Sequence, residues 1–316
     1  MKKTLALILS LMLLLSCTAI GAGLAETQKI NVVTTIFPIY DWVREAAGAD
    51  VENVNLTLLL DNGVDLHSYQ PTAQDILNIS TADLFIYVGG ESDEWVEDVL
   101  ATAVNPGLKS ISLVDAMGSD IRMEEITEGM EHGHEEEEEE DEHVWLSLRN
   151  AQKLTAVIAE TLCEIDPAHA EQYRENAAAY GARLAGLDAR YTDMVNAAAF
   201  RTILFGDRFP FRYLADDYGL SYYAAFTGCS AESEASFETV IFLARKVDEL
   251  GLPAVLTMEH PRTRIAETVV ENTSAGNQKI LEMDSMQGTT AQDIAAGTTY
   301  LSVMESNLEV LAQALN

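Results

Sequence analysis

The sequence predicts an α/β protein: two similar α/β lobes, each a sheet flanked by helices, linked by one long backbone helix. Three observations carry that reading. Strand-like and helix-like segments alternate along most of the chain, the mark of an α/β protein. The alternation runs twice, and one extended helical stretch separates the two runs. A block of like charge interrupts the first run without ending the ordered pattern, which resumes at Val144.

The elements follow in order. Residues 30–35 (Ile-Asn-Val-Val-Thr-Thr) read as a first strand, 38–47 as a helix and 54–60 as a second strand. Residues 72–80 read as a helix with Thr72 as N-cap and Asp75 three places on, a capping-box pattern. Residues 84–88 are apolar enough for a buried strand, 94–103 are helical and 110–113 form another strand. Residues 119–142 break this rhythm with Glu131-His132-Gly133-His134, an unbroken glutamate run from 135 to 140, then Asp141 and Glu142. So dense a run repels itself and buries nothing, so a solvated, mobile loop is expected.

Residues 150–198 read as nearly continuous helix, with Asp166-Pro167 allowing a break or restart. A helix of about 30 residues reaches about 45 Å, the diameter of a domain, so this segment suits a spine between lobes. Strands are then expected at 202–205, 221–226, 254–258 and 279–283, and helices at 209–218, 236–250, 262–274 and 300–315. The expected organisation is a leader at 1–25, an N-terminal lobe at 27–149 that includes the acidic loop, a linking helix at 150–199 and a C-terminal lobe at 200–316.

The leader is read from Lys2 and Lys3, an apolar stretch at 5–15 and the lipobox-like Leu14-Leu15-Ser16-Cys17. The stretch is shorter than the roughly 20 residues that a membrane span needs. Lipidation at Cys17 is expected, with cleavage after Ala25 as the alternative, so the folded part should lie outside the cytoplasm. Besides Cys17 there are two cysteines. Cys163 fits a helical face as a small buried hydrophobe, while Cys229 sits in a turn-like Gly228-Cys229-Ser230, and a bridge between them is the alternative. A net charge of −32 opposes nucleic-acid binding, which needs basic patches, and suits a surface that attracts cations.

Four residues stand out as candidate metal donors because each sits where a strand gives way to a loop. His67 follows Gly63-Val64-Asp65-Leu66, His143 ends the acidic loop in Asp141-Glu142-His143-Val144-Trp145, Asp207 follows a strand, and Asp284 follows another. Ligands in open α/β sheets bind beyond the carboxyl ends of strands. Imidazole and carboxylate together suit zinc or manganese. Each residue alone also has an ordinary reading, a surface histidine or a helix cap. There is no His-Glu-x-x-His, Gly-x-Ser-x-Gly or phosphate-loop motif to suggest a secreted hydrolase, the chief rival reading.

The stretches Val32-Val33-Thr34-Thr35-Ile36-Phe37-Pro38, Gly63-Val64-Asp65-Leu66-His67-Ser68-Tyr69-Gln70-Pro71-Thr72 and Asp141-Glu142-His143-Val144-Trp145-Leu146-Ser147 carry a resemblance, supported by residues 82–90 and 166–173. The chain resembles the zinc- and manganese-binding proteins of ABC transporters, the ZnuA/TroA-like family. That resemblance implies metal held in the cleft between the lobes, zinc or alternatively manganese, by His67, His143 and Asp284. It also implies a permease and its ATPase as partners, a membrane reached through the lipid on Cys17, and a monomer; a surface adhesin that also binds metal is a further alternative. At the third ligand position the chain departs from the family: Phe205-Gly206-Asp207-Arg208-Phe209-Pro210 stands where the family has His or Glu. Asp207 is the expected donor there, with Glu259 and Cys229 as substitutes. The acidic loop matches the place of a His- and acid-rich insertion in zinc-specific members, and weak metal collection is one reading of it.

Overall fold

In the computed structural model, residues 29–48, 53–131, 139–230, 234–259 and 264–316 are described. The expected leader with Cys17, and residues 132–138 at the centre of the acidic loop, lie outside the described residues. The first sheet forms around β1 (Ile30–Thr34), whose Val32, Val33 and Thr34 are all buried, as in a parallel strand covered on both faces. With β2 (Val54–Leu58), β3 (Leu84–Tyr87) and β4 (Lys109–Ser112) it makes a four-stranded parallel sheet in the order β2-β1-β3-β4. Helix α1 (Phe37–Ala47) has a proline in its first turn, where a missing N–H costs nothing, and buries Trp42 and Val43. Helix α2 (Ala73–Ser80) starts at the expected Thr72–Asp75 capping box. Helices α3 (Trp95–Ala101) and α4 (Leu113–Met117) complete this half.

The linking segment is two helices rather than one. Helix α5 (Leu148–Ile165) stops at Asp166, a short 3-10 turn spans Pro167–His169, and helix α6 (Ala170–Ala197) then folds back against α5. Pro167 is the cause, because it biases Asp166 away from helical backbone and cannot donate to the helix before it. At 28 residues α6 is about 42 Å long and remains the spine. Tyr173, Tyr180, Leu184, Leu187, Tyr191 and Val195 form its single buried stripe, three, four or seven residues apart.

The second half repeats the first. Strands β5 (Thr202–Phe209), β6 (Ser221–Thr227), β7 (Ala254–Met258) and β8 (Lys279–Met283) are parallel in the order β6-β5-β7-β8. Strand for strand this is the order of the first sheet, so β6 corresponds to β2 and β8 to β4. Helices α7 (Arg212–Tyr218), α8 (Phe237–Leu250), α9 (Ile265–Glu271), α10 (Ala291–Ala295) and α11 (Tyr300–Ala314) surround it. Strand β5 is longer than expected: it continues through Gly206, Asp207 and Arg208 to Phe209, with a register shift between Phe205 and Arg208.

Hydrogen bonds from several elements tie the halves together. Trp145 Nε1 donates to the Ser285 carbonyl at 2.8 Å, and the Tyr300 hydroxyl donates to the Trp145 carbonyl at 2.7 Å. The Tyr300 N–H donates to buried Asp41 at 2.8 Å, and Tyr191 Oη donates to the Met304 carbonyl at 2.6 Å. Asn62 also forms an antiparallel bridge with Thr290.

Candidate metal centre

His67 is presented by a 3-10 turn, Leu66–Ser68, on the connection that leaves β2. Leu66 is buried and pins the turn to the core, while Asp65 Oδ1 accepts the His67 N–H at 3.0 Å. The ring's Nδ1 lies 2.7 Å from Ser92 Oγ, on the connection that leaves β3. His143 is held more tightly. Asp141 Oδ1 accepts from both the His143 backbone N–H and its ring Nδ1, each at 2.9 Å, and the ring is fully buried beside Trp145. Gly228 makes room for that ring: a Cβ there would stand 2.8 Å from His143 Cε1.

With each Nδ1 protonated and donating, both rings turn Nε2 lone pairs to one point. The two Nε2 atoms are 3.3 Å apart. Nitrogens about 2.0–2.1 Å from a single tetrahedral zinc would be separated by about the same distance. Cys229, on the connection that leaves β6, completes a group with His67 and His143 in which the donor atoms all lie within 4.8 Å of one another. His67 and Cys229 thus follow corresponding strands of the two sheets. Two imidazoles and a thiol are a donor set for zinc or a similarly soft divalent ion, with a fourth tetrahedral position left over.

The surroundings favour a cation. Burial, then the neighbouring His143 and Arg208, push the His67 pKa down to about 3, so its ring is neutral and ready to donate. Burial opposes charge on His143, but Asp141 and then Glu142 outweigh it and raise its pKa. The Cys229 thiol is pushed well above its ordinary range by burial and by Glu124, Glu142 and Asp141. Those carboxylates would instead welcome a divalent ion, which deprotonates a coordinating thiol outright. Glu142 Oε1 accepts the Ser92 N–H at 2.9 Å, whereas its buried Oε2, 4.0 Å from His67 Nδ1, has no hydrogen-bond partner among the described residues.

Of the residues expected from the sequence, the structure brings together His67 and His143. Among the described residues, Asp207 and Asp284 are not part of the group that meets there. Asp207 lies inside β5 rather than at a helix start, and its Oδ2 accepts from Thr257 Oγ1 at 2.7 Å and the Met258 N–H at 3.3 Å, both on β7. Asp284 Oδ1 accepts the Met286 N–H at 2.7 Å. Glu259 accepts from both the N–H and the hydroxyl of Ser285, and burial with the nearby Asp284 pushes its pKa up to about 7. Cys229, considered from the sequence only as a substitute, is the third donor at hand. Both Cys163 and Cys229 are free thiols. Asp141, Ser92, Glu142 and Glu124 went unremarked as supports, although Asp141-x-His143 is a spacing at which a carboxylate can orient an imidazole.

A family model described as the periplasmic zinc-uptake complex component A, ZnuA, matches residues 32–314. The zinc-binding lipoprotein AdcA of Streptococcus pneumoniae is 30% identical over 312 residues, which cover 98% of this chain and 61% of AdcA. The high-affinity zinc uptake system protein ZnuA of Bacillus subtilis is 28% identical over 303 residues, covering 93% of this chain and 90% of that protein. The chain therefore spans about three fifths of the length of its AdcA relatives. Among solved structures, the Zn(II)-bound ZnuA-like domain of S. pneumoniae AdcA is similar at TM-score 0.72 and 30% identity, over 91% of this chain and 99% of that domain. The metal-dependent lipoprotein YcdH of B. subtilis is similar at TM-score 0.73 and 27% identity, over 91% and 99%. With a match that runs from the first strand to the last helix, the chain belongs to the zinc-uptake complex component A family.

Proposed function

We propose that this chain captures zinc outside the cytoplasm and hands it to the permease of an ABC transporter, whose ATPase drives uptake. The observation that carries the proposal is the convergence of His67, His143 and Cys229, from both halves, on one point. In this reading His67 and His143 are the imidazole ligands and Cys229 the thiolate. The zinc-binding names of the family's relatives support the same cargo. A thiolate favours zinc over manganese, which prefers carboxylate, carbonyl and water. Cys17 is the proposed lipid anchor, and no helix among the described residues is long and apolar enough to cross a membrane.

Competition titration of the metal-free protein with zinc and manganese tests the proposal. One tight zinc site per chain, with manganese much weaker, is the expected result. His67→Ala and His143→Ala should each weaken zinc by orders of magnitude with little change in circular dichroism. Zero zinc stoichiometry would end the functional proposal, and clear preference for manganese would overturn the choice of metal and of the thiolate.

A further inference from the structure

Arg208 stands in the segment where the family resemblance implies a metal ligand, yet it is a cation bonded to neighbours of two of the donors. Its Nη2 pairs with Asp65 Oδ2 at 2.5 Å, and both side chains are largely buried, 13% and 8% exposed. Its Nη1 donates to the Ser230 carbonyl at 3.4 Å. Asp65 is the residue whose other oxygen caps the His67 N–H, and Ser230 directly follows Cys229. One guanidinium on β5 therefore joins the loop that presents His67 in the first half to the loop that presents Cys229 in the second.

We propose that Arg208 is a positioning residue, a clasp that holds the two ligand loops at coordinating distance across the cleft. This deepens the proposed function and rests on Cys229 being a ligand. A planar fork with five N–H groups can bond both partners at once, which a lysine ammonium on a flexible stem does poorly. Burial raises the worth of the contact: both side chains are largely shielded from water, where breaking an ion pair by removing one partner is costly.

Electrostatics alone predicts the opposite effect, so the sign of the result decides. A positive charge beside the site repels a divalent cation, and deleting it should tighten binding if Arg208 did nothing else. A clasp predicts weaker binding, because the loops must then be ordered at the expense of binding free energy. Loss of a partner that orients a metal ligand typically weakens metal affinity by about 10–100-fold.

The test uses Arg208→Gln, and Asp65→Asn, which keeps an Oδ1 to cap His67. Zinc affinity and release rate are measured by chelator competition, and coordination is read from the spectrum of the cobalt(II)-loaded protein. Each variant should bind zinc about 10–100-fold more weakly. Zinc release should be faster, and the thiolate-to-cobalt charge-transfer band should be retained. The double variant should be no weaker than the worse single one, since both remove the same contact. Arg208→Lys should recover part of the loss. Unchanged or tighter zinc binding in a folded Arg208→Gln, or additive losses in the double variant, would overturn the clasp. If Arg208→Gln does not fold, Arg208→Lys makes the test with the charge kept: zinc binding weaker than wild type is expected, and unchanged binding would overturn the clasp. Cys229→Ser separates the two ideas. A charge-transfer band that survives this change would refute the thiolate ligand itself, whereas its loss together with normal Arg208→Gln binding would refute the clasp alone.

Discussion

The side chain of Asp207 joins two strands. Its carboxylate accepts from Thr257 Oγ1 and from the Met258 N–H, so it braces β5 against β7 where their main-chain pairing has lapsed after Phe205. Asp207→Ala should therefore lower the melting temperature of the metal-free protein by an amount equivalent to about 1–3 kcal/mol, the cost of stranding buried partners. Zinc affinity measured on the same sample should stay within a few-fold of wild type, and a loss of orders of magnitude would restore Asp207 to the ligand set. Gly228 makes the converse case. A methyl group there would meet His143 Nδ1 at 3.0 Å and the Phe209 carbonyl at 3.1 Å, so Gly228→Ala should displace the imidazole. Weaker zinc binding with a small change in melting is the expected result, and unaltered affinity would show that His143 has slack. Neither role could be read from the local sequence, because both depend on which strand lies beside which.

Elements whose ends are chemically marked were legible in advance; those marked only by packing were not. The Thr72–Asp75 capping box opens α2 where expected, and the break at Asp166-Pro167 falls where proline forbids helix. Strand β5 outruns its expected end at Phe205, because the chain stays extended through Gly206, Asp207 and Arg208. Helix α9 is the reason: a Cβ at position 206 would stand 2.5 Å from the Ala266 Cα, so glycine is kept for close packing rather than for bending. Gly206→Ala should cost about 1–3 kcal/mol, the usual range for overpacking, and would show as a lower denaturant midpoint. The nearness of Cys229 to the two imidazoles was hidden for a related reason, since the correspondence of β6 with β2 appears only once both sheets are assembled. The rims of the acidic segment also take part in the fold: Met123 pairs with Glu140, and the Glu131 N–H donates to the Ala225 carbonyl on β6 at 2.9 Å. Replacing only residues 132–138 with a short Gly-Ser linker keeps those contacts. That variant should retain the tight zinc site in calorimetry and lose only weaker additional binding; loss of the tight site would make the segment a ligand donor.

Across the whole molecule the dominant electrostatic fact is excess negative charge, −32 before any metal arrives. Such an excess attracts divalent cations and strains the folded state through self-repulsion. Asp93 brings that strain into the core. It is 3% exposed, its Oδ2 accepts the N–H groups of Val88 and Gly89 at 2.9 and 3.0 Å, and the Trp95 side chain also helps to hold its charge. Burial, reinforced by Glu142, lifts its pKa to about 7 although the two N–H groups pull the other way. The folded protein then holds this proton more tightly than the unfolded chain does. Its contribution to stability is complete below about pH 4, declines as pH rises and is gone above about pH 7. Three pKa units correspond to about 4 kcal/mol, an upper bound on this one group's share. Asp93→Asn keeps an oxygen for the two N–H groups and removes the charge. Its metal-free melting temperature should consequently vary less than wild type between pH 4 and 7 and lie above wild type at pH 8. Parallel melting curves for the two proteins across that range would show that Asp93 is already ionised in the folded state, stabilised by the N–H groups of Val88 and Gly89 despite its burial.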